Sequence, residues 1–249
     1  VESLRPFARF LFFAVYTSAI VAEIWLRNVV QGVEMRRSMR VRRRWAIHLL
    51  RGLGVRVSQT GIIPDFPCLI VSNHRSYIDP ILLLQHVDAY PVAKAELANW
   101  PIIGKGAKLA GIWYINRENV KSRASTLQGI SDIIASGYAV IIFPEGTTSD
   151  VEGTLPFKRG VFQLASKSSI PIVPVAISFQ ERDDYWVGEE TFLSHAGRRF
   201  RQKKIHVSVH YGPTQYGGDP EILMETSRLW IEAQLKISSS RNPVVGVKA

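Results

Sequence analysis

His74 and Asp79 stand five positions apart in the stretch Ser72-Asn73-His74-Arg75-Ser76-Tyr77-Ile78-Asp79-Pro80. Imidazole exchanges protons near neutral pH. A carboxylate that accepts from its Nδ1–H fixes the tautomer and stabilises the imidazolium once it forms. Such a pair could take a proton from an alcohol, with His74 as base and Asp79 as its holder. The same residues also suit a capping aspartate beside a surface histidine, because Asp79-Pro80 is N-cap and N1 chemistry for a helix. Spacing alone does not choose between the two.

The flanking segments say how the pair would be presented. Cys68 to Val71 is short, apolar and preceded by Pro67, which predicts a buried strand. Ile81 to Leu84 is apolar and follows Asp79-Pro80, which predicts a helix. His74 therefore falls in a strand-to-helix turn, where a rigid scaffold can aim a side chain at a cleft. Cys68, the one cysteine, lies inside the strand, so no disulfide framework exists and a nucleophilic role is not expected.

The chain has 249 residues, 46% of them hydrophobic, and a formal charge of +10. That is enough for one sizeable core with an appendage, and it excludes a disordered chain. The charge is unevenly placed. Residues 1–60 carry 11 arginines against three glutamates, a balance of +8, while the remainder carries only +2. Phe10 to Ala22 is an uncharged apolar run that, as a helix, spans about 20 Å, short of the roughly 30 Å hydrocarbon core. Thr17 or Ile20 at the −3 position makes a poor signal-cleavage site, so an interfacial, half-inserted helix is expected. Arg36, Arg37, Arg40, Arg42, Arg43 and Arg44 follow within nine residues, closed by Trp45 and Leu49-Leu50. An arginine cluster suits nucleic acid or an anionic bilayer, and the adjacent apolar run favours lipid, with no nucleic-acid partner. The charge bias puts the following residues on the cytoplasmic side.

Along the body, strands are expected at Gly54–Ser58, Tyr90–Lys94, Gly111–Ile115, Ala139–Phe143, Ile172–Phe179 (interrupted by Pro174) and Ile205–Tyr211. Helices are expected at Glu96–Trp100, Pro101–Leu109, Glu118–Ser136, Gly160–Lys167 and Pro220–Leu235. Residues 181–203 read as polar and irregular, and the tail from Ser238 as loose. This alternation predicts an α/β fold: a mixed, largely parallel sheet flanked by helices, behind an N-terminal membrane-associated helical segment. The organisation expected is a basic and apolar attachment segment over 1–52, a catalytic domain over 53–237 and a tail over 238–249. Asn116-Arg117 and Phe143-Pro144-Glu145-Gly146-Thr147-Thr148-Ser149 also close apolar strands, the latter followed by Lys158-Arg159-Gly160. Ligands of open α/β sheets collect beyond the carboxyl ends of strands. Arg117, Glu145 and Lys158 are thus expected around the same crevice as His74 and Asp79. No Walker A loop or dinucleotide fingerprint occurs. His206 and His210 share a strand face, but without a nearby cysteine or carboxylate no metal site is expected.

Four ordered blocks carry a resemblance: Asn73-His74 with Asp79; Tyr114-Ile115-Asn116-Arg117; Phe143 to Ser149; and Ile170-Pro171-Ile172-Val173-Pro174-Val175. Over roughly residues 55–215 the chain resembles the PlsC-like glycerolipid acyltransferases, which include the lysophosphatidic acid acyltransferases. One position departs, Thr148 standing where that family usually has arginine. The resemblance implies acyl transfer from acyl-CoA or acyl-carrier protein, as co-substrate and without a cofactor, to the sn-2 hydroxyl of lysophosphatidic acid in a membrane. It implies His74 as general base and Asp79 as its orienter. Asn73, Arg117, Glu145, Gly146, Thr147, Thr148, Lys158 and Arg159 would line the substrate site, Glu145 in a structural capacity. No G-x-S-x-G elbow is present, so direct attack by the lipid hydroxyl is expected rather than an acyl-enzyme. Thr148 leaves open a lysolipid with a zwitterionic or amino-acid head group. A non-catalytic lipid-binding protein of the same fold is the remaining alternative.

Overall fold

A computed structural model describes residues 4–95, 109–115 and 120–241. The chain opens with helix α1 (Leu4–Gln31) and helix α2 (Met35–Gly52). The apolar run is only part of α1, which extends through Arg9 at one end and Glu23 and Arg27 at the other. Tyr16 meets His48, Thr17 meets Trp45, and Glu23 meets Arg44, so the two helices form an antiparallel hairpin. Leu4, Phe7, Leu11 and Val15, spaced by three and four residues, make an exposed apolar stripe on α1.

Strand β1 (Val55–Thr60) is followed by β2 (Leu69–Ser72), α3 (Asp79–Leu84), β3 (Ala89–Lys94), β4 (Trp113–Ile115) and α4 (Val120–Ala135). Then come β5 (Ala139–Ile142), α5 (Gly160–Lys167), β6 (Ile172–Phe179), α6 (Phe192–Arg199), β7 (Ile205–Tyr211) and α7 (Pro220–Arg241). Among the described residues the sheet has seven strands in the order β1-β7-β6-β2-β5-β3-β4. All neighbours are parallel except β6 and β7. The sheet is therefore mixed and largely parallel, as expected.

Central strand β2 is buried on both faces, which is why it reads as a continuous apolar run. Cys68 and Ile70 face the core under α2 and α3, while Leu69 and Val71 face the one under α4, α5 and α7. Burial pushes the Cys68 thiol up to about 12, consistent with a packing role. Pro174 does not interrupt β6. It lies one residue outside the β7 ladder, which begins at Val175, and its carbonyl accepts from Gly212 N at 2.8 Å.

Three further expectations need correction. Residues 181–203 hold a 3-10 turn at Arg182–Asp184 and helix α6, whose cap Thr191 accepts from Ser194 N. Here Asp184 and Arg199 form an almost fully buried ion pair at 2.5 Å. Helix α7 runs on to Arg241, so Ser238 is helical rather than loose. The arginine run of α2 is not a uniform surface. Arg42 is buried and donates to the carbonyls of Ala89 (2.8 Å), Ala110 (2.6 Å) and Gly111 (3.3 Å). The helices expected at Glu96–Trp100 and over most of Pro101–Leu109 lie outside the described residues.

Candidate active site

β2 ends at Ser72, and the turn that follows folds back on itself. His74 Nδ1 lies 2.8 Å from Asp79 Oδ2. An ionised carboxylate only accepts, so Nδ1 is the donor to it, and in the neutral ring Nε2 keeps its lone pair. The same oxygen accepts from Arg75 N at 2.6 Å and Ser76 N at 2.8 Å. Asp79 opens α3 but its side chain makes no cap contact with that helix, having turned toward His74 instead. The Asp79 side chain thus pairs with His74 rather than capping α3. Asp79 is completely buried, whereas the His74 side chain keeps 20% of its surface exposed. Phe143, just beyond β5, stacks on the imidazole at 4.2 Å between ring centres and limits its rotation.

The neighbouring strand end is stitched to this turn. β5 pairs with β2 in parallel register, so Phe143 to Ser149 emerges beside His74. Glu145 Oε1 accepts from His74 N at 2.8 Å, and Oε2 accepts from Leu155 N at 2.8 Å and the Ser149 hydroxyl at 3.1 Å. Burial pushes the Glu145 carboxyl above its usual range, opposed by the two N–H groups. With its acceptors used inward, Glu145 is a brace between the two strand ends. Ser149 N in turn donates to His74 O at 3.1 Å.

Gly146 adopts a φ of +79°, and a Cβ there would come within 2.3 Å of Lys158 Nζ. Only glycine suits that conformation, and the contact places the Lys158 ammonium on the Pro144-Glu145-Gly146 turn. Thr147 is exposed and Thr148 half-buried on the same loop. Arg159 turns instead to Glu221 of α7, at 3.1 Å. Asn73 is completely buried: its amide donates to Ile177 O at 2.9 Å, and its oxygen accepts from Ile177 N at 2.8 Å. It fastens the end of β2 to β6 and has no polar atom left for a substrate. Arg117 and Asn116 lie outside the described residues.

Sequence reasoning missed two supports. Arg75 is buried and donates to Ser149 O (2.8 Å), Ser149 Oγ (3.0 Å) and Gly153 O, clamping the loop after β5 to the His74 turn. Tyr77 packs edge-on against Trp186, Phe192 and His195, and its hydroxyl lies 3.2 Å from His195 Nδ1. The signal for Arg75 was its place inside the motif. For His195, 118 residues away, no local signal existed. Among the described residues no three His, Cys, Asp or Glu side chains converge as metal ligands.

Comparison with known proteins gives this geometry a family. A family model described as Acyltransferase matches residues 54–178, which hold the His74–Asp79 turn and the Phe143–Ser149 loop. A lyso-ornithine lipid O-acyltransferase of Pseudomonas aeruginosa is 30% identical over 211 residues, covering 81% of each chain. A chloroplastic 1-acyl-sn-glycerol-3-phosphate acyltransferase of Brassica napus is 30% identical over 181 residues, 72% of this chain but only 48% of that protein. The chain thus spans about half the length of that plant relative. The crystal structure of the 1-acyl-sn-glycerophosphate acyltransferase PlsC from Thermotoga maritima shares the fold, with a TM-score of 0.76, 18% identity and 96% of both chains covered. The chain belongs to the acyltransferase family.

Proposed function

We propose that the chain is a lysolipid O-acyltransferase, with lysophosphatidic acid as acceptor and acyl-CoA or acyl-carrier protein as donor. The observation that carries this reading is the 2.8 Å contact between His74 Nδ1 and Asp79 Oδ2, which leaves Nε2 as the open base. His74 Nε2 takes the proton of the lipid hydroxyl as its oxygen attacks the thioester carbonyl carbon. The new C–O bond forms, the tetrahedral intermediate expels the thiolate by breaking the C–S bond, and the imidazolium returns the proton to sulfur. Asp79 stabilises the transient imidazolium. Glu145 and Asn73 act through position, holding the two strand ends together. Lys158 offers the acceptor phosphate a cation at the Gly146 turn, and Arg117 is assigned there from the family resemblance. The test is turnover of lysophosphatidate with an acyl thioester. His74→Ala is expected to lose at least about 100-fold, and near-normal turnover in the folded variant would overturn the mechanism.

A second acceptor is favoured by Thr148 together with the Arg159–Glu221 pair, which leave the loop after β5 with less positive charge than a phosphate dianion prefers. The Pseudomonas relative, matched over 81% of each chain, is named for a lyso-ornithine lipid. Competition between lysophosphatidate and lyso-ornithine lipid decides between the readings. Preference for lysophosphatidate, kept in Thr148→Arg, supports the first. Preference for the ornithine lipid that shifts toward lysophosphatidate in Thr148→Arg supports the second.

Residues 1–52 are proposed as the membrane-attachment segment, on the cytoplasmic face and without a crossing. At 28 residues α1 is long enough to cross, at about 42 Å. Its length is committed elsewhere: Arg9 donates to the carbonyls of Phe200, Gln202 and Lys203, and Thr17, Ile20 and Ile24 are buried. An interfacial seat on the exposed stripe fits those contacts. Protease protection of the first residues of α1 on the membrane face opposite the sheet would show a full span instead.

A further inference from the structure

Alternation along β1 and β7 leaves a polar face that the dyad does not use. Val55, Val207 and Val209 turn into the core, while Arg56, Ser58, His206 and Ser208 turn the other way. Arg56 is in register with His206 and Ser58 with Ser208, so the four side chains stand as two adjacent pairs on that face. Ser58 Oγ lies 2.9 Å from Ser208 Oγ. Arg56 and His206 are exposed, and among the described residues neither side chain takes part in an ion pair or hydrogen bond.

With Ser178 of β6, Gln180 just beyond it and the last turns of α7 near Gln234, this face encloses a groove of about 510 Å³. That is the size of a small-molecule site. Its lining is chemically one-sided: a guanidinium, imidazoles, hydroxyls and amides, with no carboxylate among the described residues that form it. Lys203 and Lys204 stand exposed at the entry to β7 and add cations at the same end, while Glu181, which follows Gln180, is half-buried. A concave surface of this kind suits a phosphate ester that carries further hydrogen-bonding groups, as a nucleotide does.

The cationic end of the groove lies at the dyad's end of the sheet. β7 runs antiparallel to β6, and β6 parallel to β2, so the start of β7 lies where β2 delivers His74. Asn73 is fastened to Ile177, which pairs with Val209. His206 is three residues beyond Val209 on β7, itself two strands from β2, so about 14 Å separates its backbone from that of His74. The pantetheine arm of an acyl thioester, from phosphate to sulfur, has about the length of four extended residues, roughly 14 Å.

We infer that this groove holds the nucleotide handle of a coenzyme A donor, with Arg56 and His206 on its phosphates and the hydroxyls and amides of Ser58, Ser178, Gln180 and Ser208 on its nucleoside. The inference rests on the acyl-transfer reading above and names the donor within it. An acyl-carrier protein presents the same arm, but its phosphate is joined to a folded domain far larger than the groove. A nucleotide fits inside.

The test is calorimetric titration of the full chain with adenosine 3′,5′-bisphosphate, read without turnover, so that failure of the acyltransferase assignment leaves the site measurable. The wild type should bind it more tightly than inorganic phosphate. Arg56→Gln/His206→Gln, with an unchanged melting temperature, should weaken that binding about 10–100-fold. The KM for acyl-CoA should rise by a similar factor while the KM for the lysolipid acceptor stays as in the wild type. No binding by the wild type, equal affinity for inorganic phosphate, or undiminished binding by the variant would overturn the inference. So would a KM for acyl-CoA that the variant leaves unchanged, or turnover confined to acyl-carrier protein as donor.

Discussion

The turn after β2 and the arginine run of α2 are both short stretches dense in polar side chains, and they are organised in opposite ways. In the turn, residues close in sequence stay close in space. His74, Arg75 and Ser76 all direct a nitrogen to one oxygen of Asp79. In α2, each residue rotates the side chain by about 100°. Neighbours therefore diverge: Arg42 inward to three carbonyls, Arg43 to Asp88, Arg44 to Glu23. A polar cluster in a turn is a candidate site as it stands. A polar run on a helix is a set of separate contacts until the fold is known.

The largest effect should come from the turn. His74→Ala should lower turnover by about 10²–10⁴-fold, and Asp79→Asn should be comparably severe because it disturbs the tautomer. Both are read by steady-state kinetics on folded protein. Harmless Asp79→Asn would make the 2.8 Å contact a coincidence of packing.

Arg42→Met comes next and tests the other half of the comparison. It removes the donor from three buried carbonyls and should destabilise the fold by about 2–4 kcal/mol, read by denaturant unfolding. Burial pushes the Arg42 guanidinium down to about 10, partly offset by Asp88, so its positive charge is retained at neutral pH. Lysine at this position cannot reproduce the guanidinium fork, so Arg42→Lys should recover only part of the loss.

Glu145→Gln should follow at about 1–3 kcal/mol of stability together with reduced turnover, since it weakens the brace between the two strand ends. The smallest effect belongs to Arg40→Ala. Arg40 is exposed and its nearest acid, Glu34, is 3.9 Å away, so the change should stay within about 0.5 kcal/mol. If Arg40→Ala and Arg42→Met were equally damaging, the contrast between neighbouring helix positions would fail.

Much of the site was readable because its parts obey local rules. β2 declared itself by an apolar run after Pro67, and the Phe143–Ser149 loop by its place at a strand end, whereas the five-residue spacing of His74 and Asp79 left their pairing open until the fold was known. Asn73 was misread as a substrate contact for a different reason. Its partner is the backbone of Ile177, 104 residues on, and nothing near Asn73 in the chain points there. Helix α6 was missed because its buried face holds His195 and Arg199, polar residues made tolerable inside by Tyr77 and Asp184.

The sequence by itself determined the strands of the sheet, most of its helices and the turn that holds His74 and Asp79, because strand burial and helix starts act within a few positions of one another. Only the tertiary structure decided what the charges do. Whether an arginine supports the fold, pairs with an acid or stays open to a partner depends on groups brought to it by strand order and helix rotation. Arg42 and Arg56 are the same residue type within 14 positions of each other, and the first is sealed under three carbonyls while the second faces water.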